Sequence, residues 1–279
     1  MEKQDRSDEP VVLFKYGGNA MSDENLKREV LRRICSLRDK GYRVVITHGG
    51  GPFIKKALEE AKIESEFIDG HRKTTQRAYE YVEMTLKGKV NSNLVSIINA
   101  MGYSAVGLSG QDGRSVFAAK RLHKRMVDGK EELVDLGQVG DVASVNTTLL
   151  QLLLDHGFIP VISCTATDEK GVGYNINGDM FAGHIAGALG VDQFVVLTDV
   201  DGLRRDKDDP ESLIREVSLE EINSLEEQGI IQGGMIPKMD SCEIALTRGA
   251  ASARIINGTE PEQIARMADR EAVGTVITS

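Results

Sequence analysis

Apolar runs of strand length alternate with amphipathic stretches of helical period along the whole chain, and glycine-containing turns separate them. That alternation predicts an α/β protein with a mainly parallel sheet covered by helices. The length of 279 residues suits one large α/β domain or two lobes around one cleft. No repeat, low-complexity segment or Pro/Ser-rich linker interrupts the pattern. One continuous sheet is therefore expected, divided into an N-terminal lobe (1–175) and a C-terminal lobe (176–279).

The elements follow in order. VVLFK (11–15) reads as a buried strand. A helix follows, with Ser22 as the expected N-cap, Asp23 and Glu24 in its first turn, and Leu26, Val30, Ile34 and Leu37 at helical spacing up to Gly41. RVVITH (43–48) is the next strand, then GGGP and another helix. YSAVGLS (103–109), FIPVISCT (158–165), QFVVLTD (193–199), ARIIN (253–257) and VGTVIT (273–278) read as further strands. Between them, residues 114–136 hold two strand-like arms, SVFAAKRL and ELVDL, about an Asp128-Gly129 turn, which predicts a β-hairpin insertion.

Composition narrows the function. Hydrophobic residues make up 41% and charged residues 28% of the chain, the usual balance of a soluble globular protein. The longest apolar runs fall far short of the roughly 20 residues a membrane-spanning helix needs. MEKQDRSDEP at the start lacks the apolar core of a signal peptide. Cys35, Cys164 and Cys242 have no metal spacing and read as free thiols of a reducing cytoplasm, most simply as small buried hydrophobes. A net charge of −9 argues against a nucleic-acid partner. Any site for a small anion must place its positive charge locally.

Four short motifs offer such placement. KYGGN (15–19) delivers a lysine to a glycine pair whose N–H groups a ligand can approach, although a plain strand-to-helix turn has the same appearance. THGGGP (47–52) runs into a helix whose first-turn proline leaves free N–H groups over the glycines, a ready anion site. GGMIPK (233–238) puts Lys238 in the first turn of a helix, where the macrodipole disfavours a cation unless an anion binds beside it. In YNINGD (174–179) Asn175 and Asn177 alternate onto one face, and Asp179 either caps the next helix or pairs with both lysines. No P-loop string occurs, no Ser/His/Asp set is apparent, and the five histidines share no metal-ligand spacing. Phosphoryl transfer fits this inventory, because it depends on positioning and charge neutralisation. An acceptor carboxylate, ionised at pH 7, would need no general base.

KYGGNAM, HGGGP, GHR, YVEMTLKGKVN, VGLSGQDG, DLGQVGDVASVN, YNINGD, LTDVDGL and GGMIPKM occur here in the order found in N-acetylglutamate kinases of the amino acid kinase superfamily, and the chain resembles that family from about residue 11 onward. The resemblance implies a three-layer α/β/α sandwich around a mainly parallel eight-stranded sheet. It also implies phosphorylation of the side-chain carboxylate of N-acetyl-L-glutamate by ATP with Mg²⁺, the second step of arginine biosynthesis. Lys15 and Lys238 match the lysines that stabilise the transferred phosphoryl group, and Asp179 the aspartate that orients them. Gly17, Gly18, Gly49 and Gly50 match loop glycines whose N–H groups contact the phosphoryl and substrate carboxylate. Arg72 matches the arginine that clamps a carboxylate, a task suited to its bidentate fork. Asn175 and Asn177 match substrate-side asparagines. Thr198, Asp199, Val200, Gly202 and Leu203 match the nucleotide loop, with Met235 beside it. No dedicated protein metal site is implied, since nucleotide phosphates would hold the magnesium.

The sequence departs from the family pattern at His71-Arg72-Lys73-Thr74-Thr75, near the acyl pocket, and at Gln111 in SGQDG. Only about ten polar residues precede the first strand, where arginine-inhibited members carry a longer helical extension. An arginine-insensitive cytoplasmic homodimer, paired through the helix containing Tyr81–Leu86, is expected. Nothing in the sequence specifies a nitrogen-regulatory partner. Two alternatives stand beside this reading. One is a kinase of aminoadipate or glutamate linked to an acidic carrier protein, with which the basic run KRLHKR (120–125) is compatible. The other is a non-catalytic regulatory homologue, which would have no need of Lys15, Asp179 and Lys238 together.

Overall fold

The computed structural model describes residues 9–64, 66–68, 71–127 and 130–279. The chain begins with β1 (Val11–Tyr16), α1 (Glu24–Ser36), β2 (Arg43–His48) and α2 (Gly51–Glu60). A short ribbon of β3 (Phe67–Ile68) and β4 (His71–Arg72) precedes α3 (Gln76–Glu83), a π-helical segment (Met84–Asn91) and α4 (Ser92–Ala100). Next come β5 (Ala105–Ser109), β6 (Val116–Val127), β7 (Lys130–Val145), α5 (Thr148–Asp155), β8 (Ile159–Ser163), β9 (Thr165–Thr167), β10 (Gly173–Ile176) and α6 (Gly178–Leu189). The remainder holds β11 (Gln193–Thr198), β12 (Glu216–Ser218), α7 (Leu219–Glu227), α8 (Ile236–Thr247), β13 (Ala253–Asn257), α9 (Glu262–Ala268) and β14 (Thr275–Thr278).

The main sheet has eight strands in the order β12-β14-β13-β11-β1-β2-β8-β5. It is parallel except where β14 runs antiparallel to β13, which also reverses β12. The expected mainly parallel sheet is present, and both faces are covered as parallel sheets require. Alternate side chains of the central strands divide between two clusters. Val12, Phe14, Tyr16, Val44 and Ile46 pack with Val30 and Ile34 of α1, Leu94 of α4 and Ile264 of α9. Leu13, Val45 and Val196 pack with Phe181 and Ile185 of α6 and Cys242 and Ala245 of α8. Each such fully buried aliphatic or phenyl side chain stabilises the fold by about 1.5–3 kcal/mol.

Two local expectations are corrected. Asp23, not Ser22, caps α1, and its carboxylate accepts from the Leu26 N–H at 2.7 Å. The cap must directly precede the first helical residue so that its side chain reaches the third N–H, and only Asp23 has that offset. Gly41 does close the helical stretch, in the left-handed region at φ 83°. The hairpin arms are longer than expected, and β6 and β7 join β9 and β10 in a small closed barrel. The predicted Asp128-Gly129 turn lies outside the described residues.

The α6–α8 contact sets the site. A Cβ on Gly183 would lie 2.4 Å from the Ser241 carbonyl oxygen, and one on Gly187 would lie 2.4 Å from the Arg248 Cβ. Two glycines one turn apart thus let the α8 backbone approach α6 closely. That approach brings the first turns of the two helices together.

Candidate active site

Parallel strands β1 and β2 end side by side, with Lys15 level with Thr47 and Tyr16 with His48. Ligands of open α/β sheets bind outside such carboxyl ends. Lys15 points to the α6 side and is almost fully buried, 8% exposed, as is Asp179 at 7%. Its Nζ lies 2.9 Å from Asp179 Oδ1. Lys238 Nζ, from the first turn of α8, lies 3.8 Å from the other carboxylate oxygen, Oδ2, and donates to the Gly234 carbonyl at 3.2 Å. One aspartate therefore spans two ammonium groups, one from the end of β1 and one from the first turn of α8.

Charge sets the state of this trio. Burial pushes the Asp179 carboxyl up, but Lys15 and then Lys238 outweigh it and hold the group below the usual carboxylate range. Burial lowers Lys238 from the ordinary lysine value, opposed by Asp179 and reinforced by Lys15. The helix cap is Asn177, whose Oδ1 accepts from the N–H groups of Asp179 and Met180 at 2.9 and 3.2 Å. That settles the choice left open for Asp179, which pairs with the lysines.

Two cavities meet at the trio, and a third lies on the loop that follows Thr198 and Asp199. The first, about 380 Å³, is lined by Lys15, Gly17, Gly18, Gly49, Gly50, Arg72, Asn175, Asn177 and Asp179. A second, about 170 Å³, shares Lys15, Gly17 and Gly18 with the first and adds Thr198, Asp199 and Lys238. The third, about 210 Å³ and largely apolar, is lined by Val200, Gly202, Leu203, Ile230 and Met235, with Arg204 and Lys207 at its polar side. All the residues singled out from the sequence fall on these three cavities, and Lys15 stands where the first two meet.

The glycines act through space and backbone geometry. Gly18 sits at φ +75°, where a side chain would be strained. A Cβ on Gly50 would lie 2.7 Å from Leu86 Cδ2, so a side chain there would have to displace the buried Leu86 methyl. The Gly49 N–H points to the Tyr16 carbonyl at 3.3 Å and ties the ends of β1 and β2 together.

Arg72 stacks over the Phe67 ring at 4.5 Å from its centroid. Burial lowers its pKa from the ordinary value and the Glu59 charge opposes this, so the guanidinium stays cationic at neutral pH. Phe67, Ile54, Val139 and Cys164 also line the first cavity, and none was singled out as a site residue from the sequence. Their apolar character gave no signal apart from the core pattern.

Residues 10–257 match the amino acid kinase family. The chain is 43% identical to the acetylglutamate kinase of Methanocaldococcus jannaschii over 96% of its own length and 90% of that protein. The chain belongs to the amino acid kinase family. Chloroplastic acetylglutamate kinase of Arabidopsis thaliana is 44% identical, over 96% of this chain and 75% of that one. Among solved structures, N-acetylglutamate synthase from Neisseria gonorrhoeae superposes with a TM-score of 0.79 at 21% identity, covering 97% of this chain and 59% of that chain. At that identity the likeness speaks for the amino acid kinase fold alone. Among the described residues, no group of three or more His, Cys, Asp or Glu side chains could hold a metal ion, and no helix is long and apolar enough to cross a membrane.

Proposed function

We infer that the protein transfers the γ-phosphoryl group of ATP to the side-chain carboxylate of N-acetyl-L-glutamate, the second step of arginine biosynthesis. The observation that carries the reading is the Lys15–Asp179–Lys238 bridge at the junction of two cavities. A carboxylate oxygen attacks the γ-phosphorus, the bond to the β-phosphate oxygen breaks, and ADP leaves with its charge. No proton moves, so no general base is needed. Charge spreads over the equatorial oxygens in the transition state, and two fixed ammonium groups meet it there.

Asp179 offsets the positive charge of both lysines and holds them aimed without itself reacting. Gly17, Gly18, Gly49 and Gly50 border the path of the phosphoryl group. Arg72, cationic and stiffened by Phe67, clamps a substrate carboxylate, while Asn175 and the free amide end of Asn177 face the substrate. Thr198 and Asp199 border the nucleotide phosphates, and Val200, Gly202, Leu203 and Met235 cover the base. Residues 1–175 are then mainly the substrate lobe and 176–279 mainly the nucleotide lobe, with Asn177 reaching across to the substrate side. Magnesium enters with ATP on its phosphates.

A cytoplasmic homodimer is the proposed assembly. In the Tyr81–Leu86 stretch Met84 is 57% exposed and offers an apolar contact, whereas Leu86 is fully buried within the chain. The carrier-linked alternative loses its basic run. Across the hairpin Lys120 pairs with Asp135 at 2.7 Å, Lys124 with Glu131 at 3.0 Å and Arg125 with Glu132 at 3.5 Å, while Arg121 pairs with Asp141. Those charges are compensated on their own hairpin and leave little net field for an acidic carrier.

ADP release measured with N-acetylglutamate, glutamate and carrier-linked aminoadipate tests the assignment. N-acetylglutamate alone should give rapid release. In Arg72→Ala, loss of charged hydrogen bonds worth about 1.5–3 kcal/mol should raise KM for N-acetylglutamate about 10- to 100-fold with kcat nearly kept. A kcat loss without a KM change would remove Arg72 from substrate binding.

A further inference from the structure

His48 and Asn91 form a buried polar pair behind the glycine loop, on the face of the sheet away from the lysines. His48 follows Ile46 by two residues on β2, so its ring faces the α4 side, while Lys15 and Thr47 face α6. His48 is 1% exposed and Asn91 3%. Asn91 ends the π-helical segment, and its amide reaches into the sheet. A Cβ on Gly107 would lie 2.1 Å from Asn91 Oδ1, so that glycine leaves the space the amide fills.

The hydrogen bonds fix the chemistry of the ring. Asn91 Nδ2 donates to the Val161 carbonyl at 2.8 Å, and the same nitrogen lies 2.9 Å from His48 Nε2. A carbonyl can only accept, so the amide nitrogen faces it; that nitrogen cannot itself accept, so Nε2 at 2.9 Å takes the second amide proton ahead of the Leu108 carbonyl at 3.4 Å. The remaining ring proton sits on Nδ1, which donates to the Gly49 carbonyl at 2.9 Å. Burial pulls the His48 pKa down to about 4, partly opposed by the Gly49 carbonyl, so the ring is neutral at physiological pH.

The consequence lies on the opposite face. A trans peptide is planar, and its C=O and N–H point in opposite directions. We propose that His48 is a positioning residue for phosphoryl transfer: locked by Asn91, it holds the Gly49 carbonyl on the α4 side of the sheet and thereby aims the Gly50 N–H to the Lys15 side, where an anion binds. Gly50 lines the cavity that Lys15 enters. This rests on the kinase reading above and adds a donor that the paired lysines do not supply.

Two substitutions separate the two ends of the ring. An asparagine amide places a donor near the position of His Nδ1, whereas a glutamine amide reaches that of Nε2. His48→Asn should therefore keep the contact to Gly49, and His48→Gln should lose it while still meeting Asn91. Both leave a buried gap and should lower Tm alike. kcat should fall about 10- to 100-fold in His48→Gln, since a removed preorganised donor costs up to about 10²–10³. It should stay within about fivefold of the unsubstituted enzyme in His48→Asn, with KM for ATP little changed in both.

Equal kcat losses in the two variants would overturn the proposal. Imidazole ¹⁵N shifts of the unsubstituted protein give a second reading that does not depend on folding of a variant or on turnover. A neutral Nδ1-protonated ring supports the proposal, and an Nε2-protonated ring overturns it. Turnover of N-acetylglutamate by the unsubstituted enzyme tests the kinase reading separately.

Discussion

Lys238→Ala should lower kcat about 100- to 1,000-fold while KM for N-acetylglutamate changes less than about threefold. Lys238 lines the second cavity beside Thr198 and Asp199 and does not line the cavity that Arg72 enters. Its charge therefore contributes where the phosphoryl group passes, not where the acceptor is held. Removing one preorganised electrostatic group from a transition state costs about 2.7–4 kcal/mol, and that range sets the expected fall. The helix start sharpens the effect. With Lys238 in the first turn of α8, the cation opposes the helix dipole, and a bound anion relieves that opposition. Steady-state kinetics in both substrates give the measurement. A KM rise with kcat kept would place Lys238 in ground-state binding.

Asp179→Asn should reduce both catalysis and stability. The carboxylate lies 2.9 Å from Lys15 Nζ and 3.8 Å from Lys238 Nζ, and the neutral amide leaves two cations facing each other in a buried site. Breaking a buried ion pair by removing one partner costs on the order of 3–5 kcal/mol. The variant should melt at lower temperature, and saturating ATP should recover part of the loss, because its phosphates replace the missing negative charge. kcat should fall at least about 100-fold, since neither lysine is then held in place. The pH dependence of the unsubstituted protein has a definite sign. A carboxyl held below its ordinary value stabilises the fold above about pH 4 and loses that contribution as pH falls through the lowered value. A melting temperature unchanged by Asp179→Asn at pH 7 would contradict the role given to this pair.

The parts of the site visible in the sequence were those that break a local rule. Three glycines before Pro52 exceed what a turn demands, and a lysine in the first turn of α8 sits against the dipole. Lys238 was legible as such a candidate, whereas Lys15 and Asp179 each also fitted an ordinary turn or helix cap, and the family resemblance is what joined the three. Their approach in space depends on Gly183 and Gly187, which read only as small residues in a helix. His48 and Asn91 were not legible as a pair. They are 43 residues apart, and the π-helical segment that turns Asn91 inward gives no pattern in the residues. Phe67 was hidden for a different reason, since a two-residue strand is too short to show alternation. The hairpin was legible but its extent was not, because the charged residues of β6 come in adjacent pairs, Lys120-Arg121 and Lys124-Arg125, which break the strand alternation and pair across to β7.

The sheet followed directly from the alternation of apolar runs with helical periods. Reversal of β14 and β12 did not, because four-residue and three-residue strands carry no mark of direction. The Lys15–Asp179–Lys238 trio lies away from both reversals, at the ends of β1, β2 and β11, whereas the third cavity leans on β14 through the Leu203 N–H, which donates to Thr275 Oγ1 at 2.8 Å.

Trapping with hydroxylamine tests the central claim most directly, since an acyl phosphate formed together with ADP yields a hydroxamate and the free phosphate of simple ATP hydrolysis does not. With ATP, Mg²⁺ and N-acetyl-L-glutamate, hydroxamate should accumulate in step with ADP, and both should fall together in Lys238→Ala. ADP release without hydroxamate, or hydroxamate formed only from carrier-linked substrates, would contradict the assignment.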